Sequence, residues 1–264
     1  GSTLKPSTRR RLFRGSLYAV FILAVLAVVL LADWKAIGVN FFDPEVARRA
    51  FPDIITVAVK NTVVYTIIAF IGGLILGLIL ALMKLSPVGP YRWAATVYIE
   101  IFRGLPALLV IFAMAFAVPI AFSWRPPGGN AGAGLIALIM VSGAYIAETI
   151  RAGIQAVPAG QTEAARSLGM GPAWTMVSVT LPQAFRIITP PLTNELVILI
   201  KDTSLLFIAG MAMQDRELTT FARDAVSQNA NSTPLVLAAI MYLIITLPLT
   251  QLVAKLERHN QRGR

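Results

Sequence analysis

The chain contains no cysteine, which excludes disulfides and thiolate metal sites. It has one histidine, His259, in a polar tail, and this excludes a histidine metal cluster. Charge is scarce: 14% of the 264 residues are Asp, Glu, Lys or Arg, where a soluble domain carries about a quarter. None of the lysines follows a glycine, so there is no Gly-Lys-Ser/Thr phosphate loop, and any ATP drive must come from another chain. The formal net charge of +10 raises nucleic acid as a partner. No basic face interleaved with aromatics is present, however, so a nucleic-acid binder is set aside. The basic residues gather at the two ends and beside apolar runs, the positive-inside pattern of a membrane protein.

What remains is apolar. Hydrophobic residues make up 56% of the chain, and the mean hydropathy is +0.72. The composition predicts a polytopic membrane protein, read here as all-α and multi-pass in a lipid bilayer. Six spans are predicted, at about 17–32, 62–83, 105–122, 135–150, 192–213 and 235–252, within one transmembrane domain covering 1–264. The first follows the basic residues Lys5, Arg9, Arg10, Arg11 and Arg14. A basic end before an apolar run is also the pattern of a signal peptide. No clear cleavage site follows and further spans come after, so it reads as span one. Gly1-Ser2 has the look of a tag scar. Lys255, Arg258, Arg262 and Arg264 place the C-terminus on the same, cytoplasmic, side as the N-terminus. Span two is long enough to cross a hydrocarbon core of about 30 Å, and its Gly73-x3-Gly77 would let a neighbouring helix approach closely.

Charged residues near the spans are the candidates for chemistry. Glu100 and Arg103 lie i,i+3 on an amphipathic segment, Tyr91 to Gly104, and Glu148 and Arg151 repeat the spacing at the inner end of span four; both read as structural ion pairs. Span five, entered through Pro190-Pro191, carries Asn194, Glu195, Lys201 and Asp202, then Thr203 and Ser204. Each ionisable group there costs about 2.5–3.5 kcal/mol on insertion scales, unless it is paired or faces water. Lys201 falls roughly 15 Å into the span at 1.5 Å per residue, near the depth where transporter sites lie. Two readings stay open. Either this face lines a pathway, or an ion pair through Lys201 holds the span to its neighbours.

The most informative stretch is polar. It runs Glu163-Ala164-Ala165, three residues, Gly169, nine residues, then Val179-Thr180-Leu181-Pro182. Gly160 is expected to break the chain before it and Thr162 to be its N-cap. Glu163 then sits in the first turn, where the helix dipole favours an anion, and Gly169 ends the helix in the left-handed conformation. A helix of about six residues is unstable alone and must pack on something. A second interfacial helix, Ala173 to Thr189, is expected to follow, bent at Pro182.

This spacing resembles the cytoplasmic loop signature of ABC importer permeases, Glu-Ala-Ala-x3-Gly-x9-Ile-x-Leu-Pro, with Val179 standing where Ile is usual. Phe102-Arg103-Gly104-Leu105-Pro106-x-Leu108-Leu109 is similar to the Phe-Arg-Gly-Thr-Pro phrase of polar amino acid permeases, with Leu105 in place of Thr. Lys201-Asp202-Thr203-Ser204-Leu205 and Asn194-Glu195 resemble the histidine/glutamine/glutamate branch of that family. The resemblance covers about Phe51 to Leu256. It implies a five-helix type I permease core with one helix added in front and a cytoplasmic coupling loop at 152–189. It also implies two ABC ATPase subunits below, which bind ATP and Mg, so that this chain holds no cofactor and is not an enzyme by itself. A second permease chain, expected to be a different one, would stand beside it, and an extracytoplasmic binding protein would deliver a polar amino acid of the glutamate/glutamine class or similar. By the same resemblance Glu163, Ala164, Ala165 and Gly169 couple to the ATPase, and Asn194, Glu195, Asp202, Thr203 and Ser204 line the substrate pathway. The competing readings are an ion-coupled carrier or channel that uses Lys201 and Asp202 as a relay, and a purely structural membrane subunit.

Overall fold

The computed structural model describes residues 5–262; Gly1, Ser2 and Arg264 lie outside them. Among the described residues the secondary structure is helical throughout. The chain opens with α1 (Pro6–Leu31), then two short helices, α2 (Trp34–Phe41) and α3 (Pro44–Ala50). Asp33 and Asp43 cap α2 and α3 by accepting backbone N–H bonds from their first turns. A π turn, Ile54–Val59, leads into α4 (Lys60–Lys84). The amphipathic segment forms α5 (Gly89–Gly104). It turns by 105° into α6 (Ala107–Phe112) and α7 (Val118–Phe122), with a π turn between them. The long α8 (Gly129–Ala156) follows.

The polar stretch holds α9 (Ala159–Ser167) and α10 (Pro172–Thr175). A π turn, Met176–Thr180, joins α10 to α11 (Leu181–Asp202), which tightens into a 3-10 helix, Thr203–Ala209. The chain finishes with α12 (Leu218–Asn229) and α13 (Thr233–Arg262). All three π turns lie within a few residues of a proline: Pro52, Pro119 and Pro182. For Pro119 and Pro182, which follow their π turns, the missing N–H and the ring's crowding of the carbonyl four residues back, Ala115 and Ser178, are both relieved by the widened turn.

Four helices are long and apolar enough to cross a membrane: α1, Ile54–Lys84, α8 and α13. The bent pair α5–α7 makes a fifth if it is one span. The stretch expected to begin at Pro190-Pro191 is different. Both prolines lie inside α11, which starts nine residues earlier at Leu181. Their fixed φ suits a helix, and prolines are tolerated where neighbouring helices cover the broken backbone. Lys201 is therefore twenty residues, about 30 Å, from the start of its helix, in the last turn before the 3-10 segment.

The centre of the bundle is the contact of α4 with α8. A Cβ on Gly73 would stand 2.5 Å from Ser142 Oγ, and one on Gly77 2.8 Å from Ile146, so only glycine permits this approach. Around it Ala69, Ile111, Leu138, Leu199 and Leu206 form one buried cluster, and Ile146, Ile150, Ile188 and Leu192 a second toward the inner end. No residue of α1 is buried. The accessible surface is 16281 Å², against about 11,000 Å² for a soluble monomer of this mass. The excess is largely apolar, with Leu, Ile, Val and Phe exposed along α1, α4 and α13, as the hydrocarbon of a bilayer requires.

Candidate functional site

In the polar stretch after α8, α9 begins directly after Pro158, whose ψ of 133° is extended, and no side chain caps it. Thr162 is thus not the N-cap, Gly160 lies within the helix, and Glu163 is the fifth residue of nine rather than a first-turn acid. The start is displaced because Pro158 fixes the chain direction before Gly160 can break it. The C-terminal end is as the sequence predicts. Gly169 has φ +85°, its N–H donates to Arg166 O at 3.0 Å, and the N–H of Met170 donates to Ala165 O at 3.2 Å. These two bonds are the Schellman closure. Of the candidate coupling residues, Ala165 is buried, while Glu163, Ala164 and Gly169 are exposed. Leu168 is 84% exposed beside them, and Trp174 and Val177 also project outward. A bond from Gln183 to Gln161 Oε1 at 3.3 Å ties α9 to α11.

The C-terminal end of α4 is joined to the C-terminal part of α8 by a three-residue ion cluster. Glu148 accepts from Arg151 Nε at 2.9 Å and from Lys84 Nζ at 3.1 Å. Lys84 closes the apolar run of α4, and only the helix pairing brings it to Glu148. The expected Glu100–Arg103 pair is absent among the described residues. Arg103, at the end of α5, instead lies over the ring of Tyr145 at 5.8 Å, and its carbonyl accepts the Tyr145 hydroxyl at 3.0 Å. Tyr145 on α8 competes for the guanidinium with an exposed Glu100, and the ring wins by cation–π contact.

Deeper in the bundle, a cavity of about 330 Å³ lies between α11, α8 and the bend from α5 to α6. Glu195 and Asp202 line it from α11, Ser142 and Tyr145 from α8, and Leu105 and Pro106 from the bend. Glu195 and Asp202 are seven residues apart, so the 3.6-residue period puts them on one face. The other candidates are elsewhere. Thr203 is fully buried, and its hydroxyl donates to Ile200 O at 2.6 Å. Asn194 is exposed. Ser204 and Lys201 face α13, where they share a groove with Tyr242 and Thr246. Lys201 has no carboxylate within salt-bridge distance among the described residues, so it forms no structural ion pair and no pair with Asp202. Sequence reading missed Ser142 and Tyr145. Their i,i+3 spacing inside an apolar helix, in phase with Leu138 and Val141, is the signal that was available.

Between the 3-10 segment and α13, Glu217 is fully buried at the start of α12. It accepts the backbone N–H groups of Thr219 at 2.7 Å and Thr220 at 3.0 Å, and also the Thr220 hydroxyl. Burial pushes its carboxyl up to about 7, although these donors oppose the shift.

A bundle of helices long and apolar enough to cross a membrane, with a short Schellman-closed helix at one end and a largely apolar cavity holding two carboxylates beside a broken span, is the architecture of a solute permease. Residues 73–262 match the family described as binding-protein-dependent transport system inner membrane component. The chain belongs to that family. It is 36% identical over 206 residues to the probable glutamine ABC transporter permease protein GlnM of Bacillus subtilis, covering 77% of this chain and 91% of that one. It is 34% identical over 197 residues to the arginine transport system permease protein ArtQ of the same organism, covering 75% and 88%. Among solved structures, that of an amino acid ABC transporter with histidines superposes with a TM-score of 0.70 at 36% identity, over 82% of this chain and 98% of that one.

Proposed function

We propose that this chain is the membrane-spanning subunit of an ATP-driven importer for a polar amino acid. The observation that carries this reading is α9, a Schellman-closed helix that exposes Glu163, Ala164 and Leu168 and buries only Ala165. Such a helix leaves a face for another protein to grip. Two ATPase subunits, holding ATP and Mg, would each dock on one such helix. A second permease chain, a different one, would complete the pair, and an external binding protein would deliver the solute. ATP hydrolysis is then the partner's chemistry and this chain is not an enzyme by itself.

In this reading α11 and the bent pair α5–α7 are both crossings, which makes six. Both termini and α9 then lie on the cytoplasmic side, in agreement with Arg9, Arg10, Arg11, Lys255 and Arg258 at the two ends. Closure of the ATPases would move α9, and Gln183 and α11 with it, and so open or shut the cavity of Glu195 and Asp202. Asn194, on the same helix, and Thr203 and Ser204, in the 3-10 helix that continues it, remain part of the proposed pathway only by that placement.

The alternative of an ion-coupled carrier needs Lys201 and Asp202 to exchange a proton, yet they face different neighbours. The test is ATPase activity of the purified membrane complex in liposomes, with polar amino acids and binding proteins added in turn. Stimulation by one amino acid supports the importer; uptake in vesicles without ATP would replace it with the carrier.

A further inference from the structure

We infer that the basic face at the start of α1 binds the headgroup of an anionic phospholipid. This goes beyond the importer reading and needs only that α1 crosses the membrane. α1 lies outside residues 73–262, the part that matches the family, so its role is not set by what those residues share with permeases. Lys5, Arg9, Arg10, Arg11 and Arg14 fall close together, and no acidic residue precedes Asp33, just past the far end of α1. None of these cations has a carboxylate within salt-bridge distance among the described residues. Ser7, Arg10, Arg11 and Arg14 follow the i, i+3, i+4, i+7 repeat of one helix face. With Pro6 they line a cleft of about 450 Å³.

An arginine fork matches the oxygens of a phosphate and stays charged at any physiological pH. Three such forks around one cleft, with a serine hydroxyl beside them, make a site for a phosphate. Its depth selects a lipid over a soluble anion. The run Leu12–Leu31 is about 30 Å long at 1.5 Å per residue, the thickness of the hydrocarbon core. Arg10 and Arg11 therefore stand at the level of the headgroups. Arg14, one turn further in, lays its stem along the apolar shaft and carries its charge up to them. Leu17, Tyr18 and Phe21 continue the same face, all three are exposed, and α1 buries no residue at all. A phospholipid presents a phosphate and then acyl chains, so it meets the arginines and the apolar stripe in that order. A soluble phosphate would leave the stripe bare. Basic clusters at the edge of a spanning helix attract anionic lipid in this way. Phosphatidylcholine brings an ammonium of its own to the arginines; phosphatidylglycerol does not.

The experiment is native mass spectrometry of the full chain with its co-purifying subunits, delipidated in detergent and titrated with phosphatidylglycerol or phosphatidylcholine. Phosphatidylglycerol is expected to bind at least about tenfold more tightly, and less so as salt is raised. The triple variant Arg10→Gln, Arg11→Gln, Arg14→Gln should lose that preference. A triple variant at the other end of the chain, Lys255→Gln, Arg258→Gln, Arg262→Gln, removes the same charge and should keep it. Excess inorganic phosphate should not displace the bound lipid. Should the first triple variant fail to assemble, Arg10→Gln and Arg14→Gln singly carry the same reading, each with a loss of about fivefold. Equal binding of the two lipids, or binding unchanged in the arginine variants, would overturn the inference. So would an equal loss in the C-terminal variant, which would make the effect one of net charge, or displacement by inorganic phosphate, which would make the site one for a soluble anion. A Tyr18→Cys crosslink to a second chain, with no lipid retained, would overturn it too and give this face to a protein.

Discussion

The connection that holds α9, residues 157–180, and the one that holds α12, residues 210–232, inner and outer in the proposed topology, are similar in length, and they are built in opposite ways. The outer one is clamped onto α4. Tyr65 donates to Asp215 O at 2.6 Å, Asn61 to Gln214 O and Arg216 O at 2.8 and 3.0 Å, and the N–H of Leu218 to Thr62 Oγ1 at 3.1 Å. Glu217 is sealed beneath them, and Arg216 is held by Asp224 at 3.3 Å. The inner connection keeps its hydrogen bonds mostly to itself, in the closure of α9, and exposes Leu168, Trp174 and Val177. A segment that finds its partners within its own chain is finished by folding. One that satisfies its backbone and leaves apolar side chains in water is shaped for a partner.

The sharpest way to break this contrast is at Gly169. Its φ of +85° is unfavourable for any side chain by about 1–2 kcal/mol, but nothing lies within 4 Å of where a Cβ would stand. Gly169→Leu is therefore expected to leave the bundle folded and to lower ATP-driven uptake more than tenfold while ATPase activity persists. Normal uptake by this variant would remove the coupling role. Next in size is Glu217→Ala in the other connection, which strips the cap from α12 and orphans the buried N–H of Thr220 and the half-buried one of Thr219, at a cost of about 2 kcal/mol. Thermal unfolding in detergent should show the loss, with no change in ATPase coupling.

Glu217 also gives a pH signature that the inner connection lacks. Its carboxyl is raised to about 7 from 4.5, so the folded state binds a proton more tightly than the unfolded state. Stability should fall as pH rises from about 4.5 to about 7 and level off above, the reverse of an ion-paired acid. Glu217→Gln is expected to flatten that slope in melts across the window. Tyr65→Phe, which deletes one clamp bond, should cost about 1 kcal/mol in the same melts. Smallest of all is Thr162→Ala. Thr162 caps nothing, so neither stability nor uptake should move beyond error; a clear loss would restore it as the N-cap.

The contrast also explains what could be read in advance. The closure at Gly169 is local, set by a glycine and the residues just before it, and it was legible. The start of α9 was misplaced because Pro158, Gly160 and Thr162 are all plausible signals, and only the path of α8 into the turn at Val157 chooses among them. Glu148–Arg151 is an i,i+3 spacing and could be named from the sequence. Glu100–Arg103 has the same spacing and failed, because Tyr145 comes from another helix to take the arginine.

The sequence by itself determined the membrane class, the apolar helices, the glycine closure of α9 and the motifs shared with binding-protein-dependent permeases. These depend on composition and on spacing along one chain. Only the tertiary structure decided that Lys84 joins Glu148, and that α11 runs through Pro190-Pro191. It alone turned Glu195 and Asp202 toward a cavity while Lys201 faces α13. A helical period tells which residues share a face, but packing against α8 on one side and α13 on the other fixes where that face points.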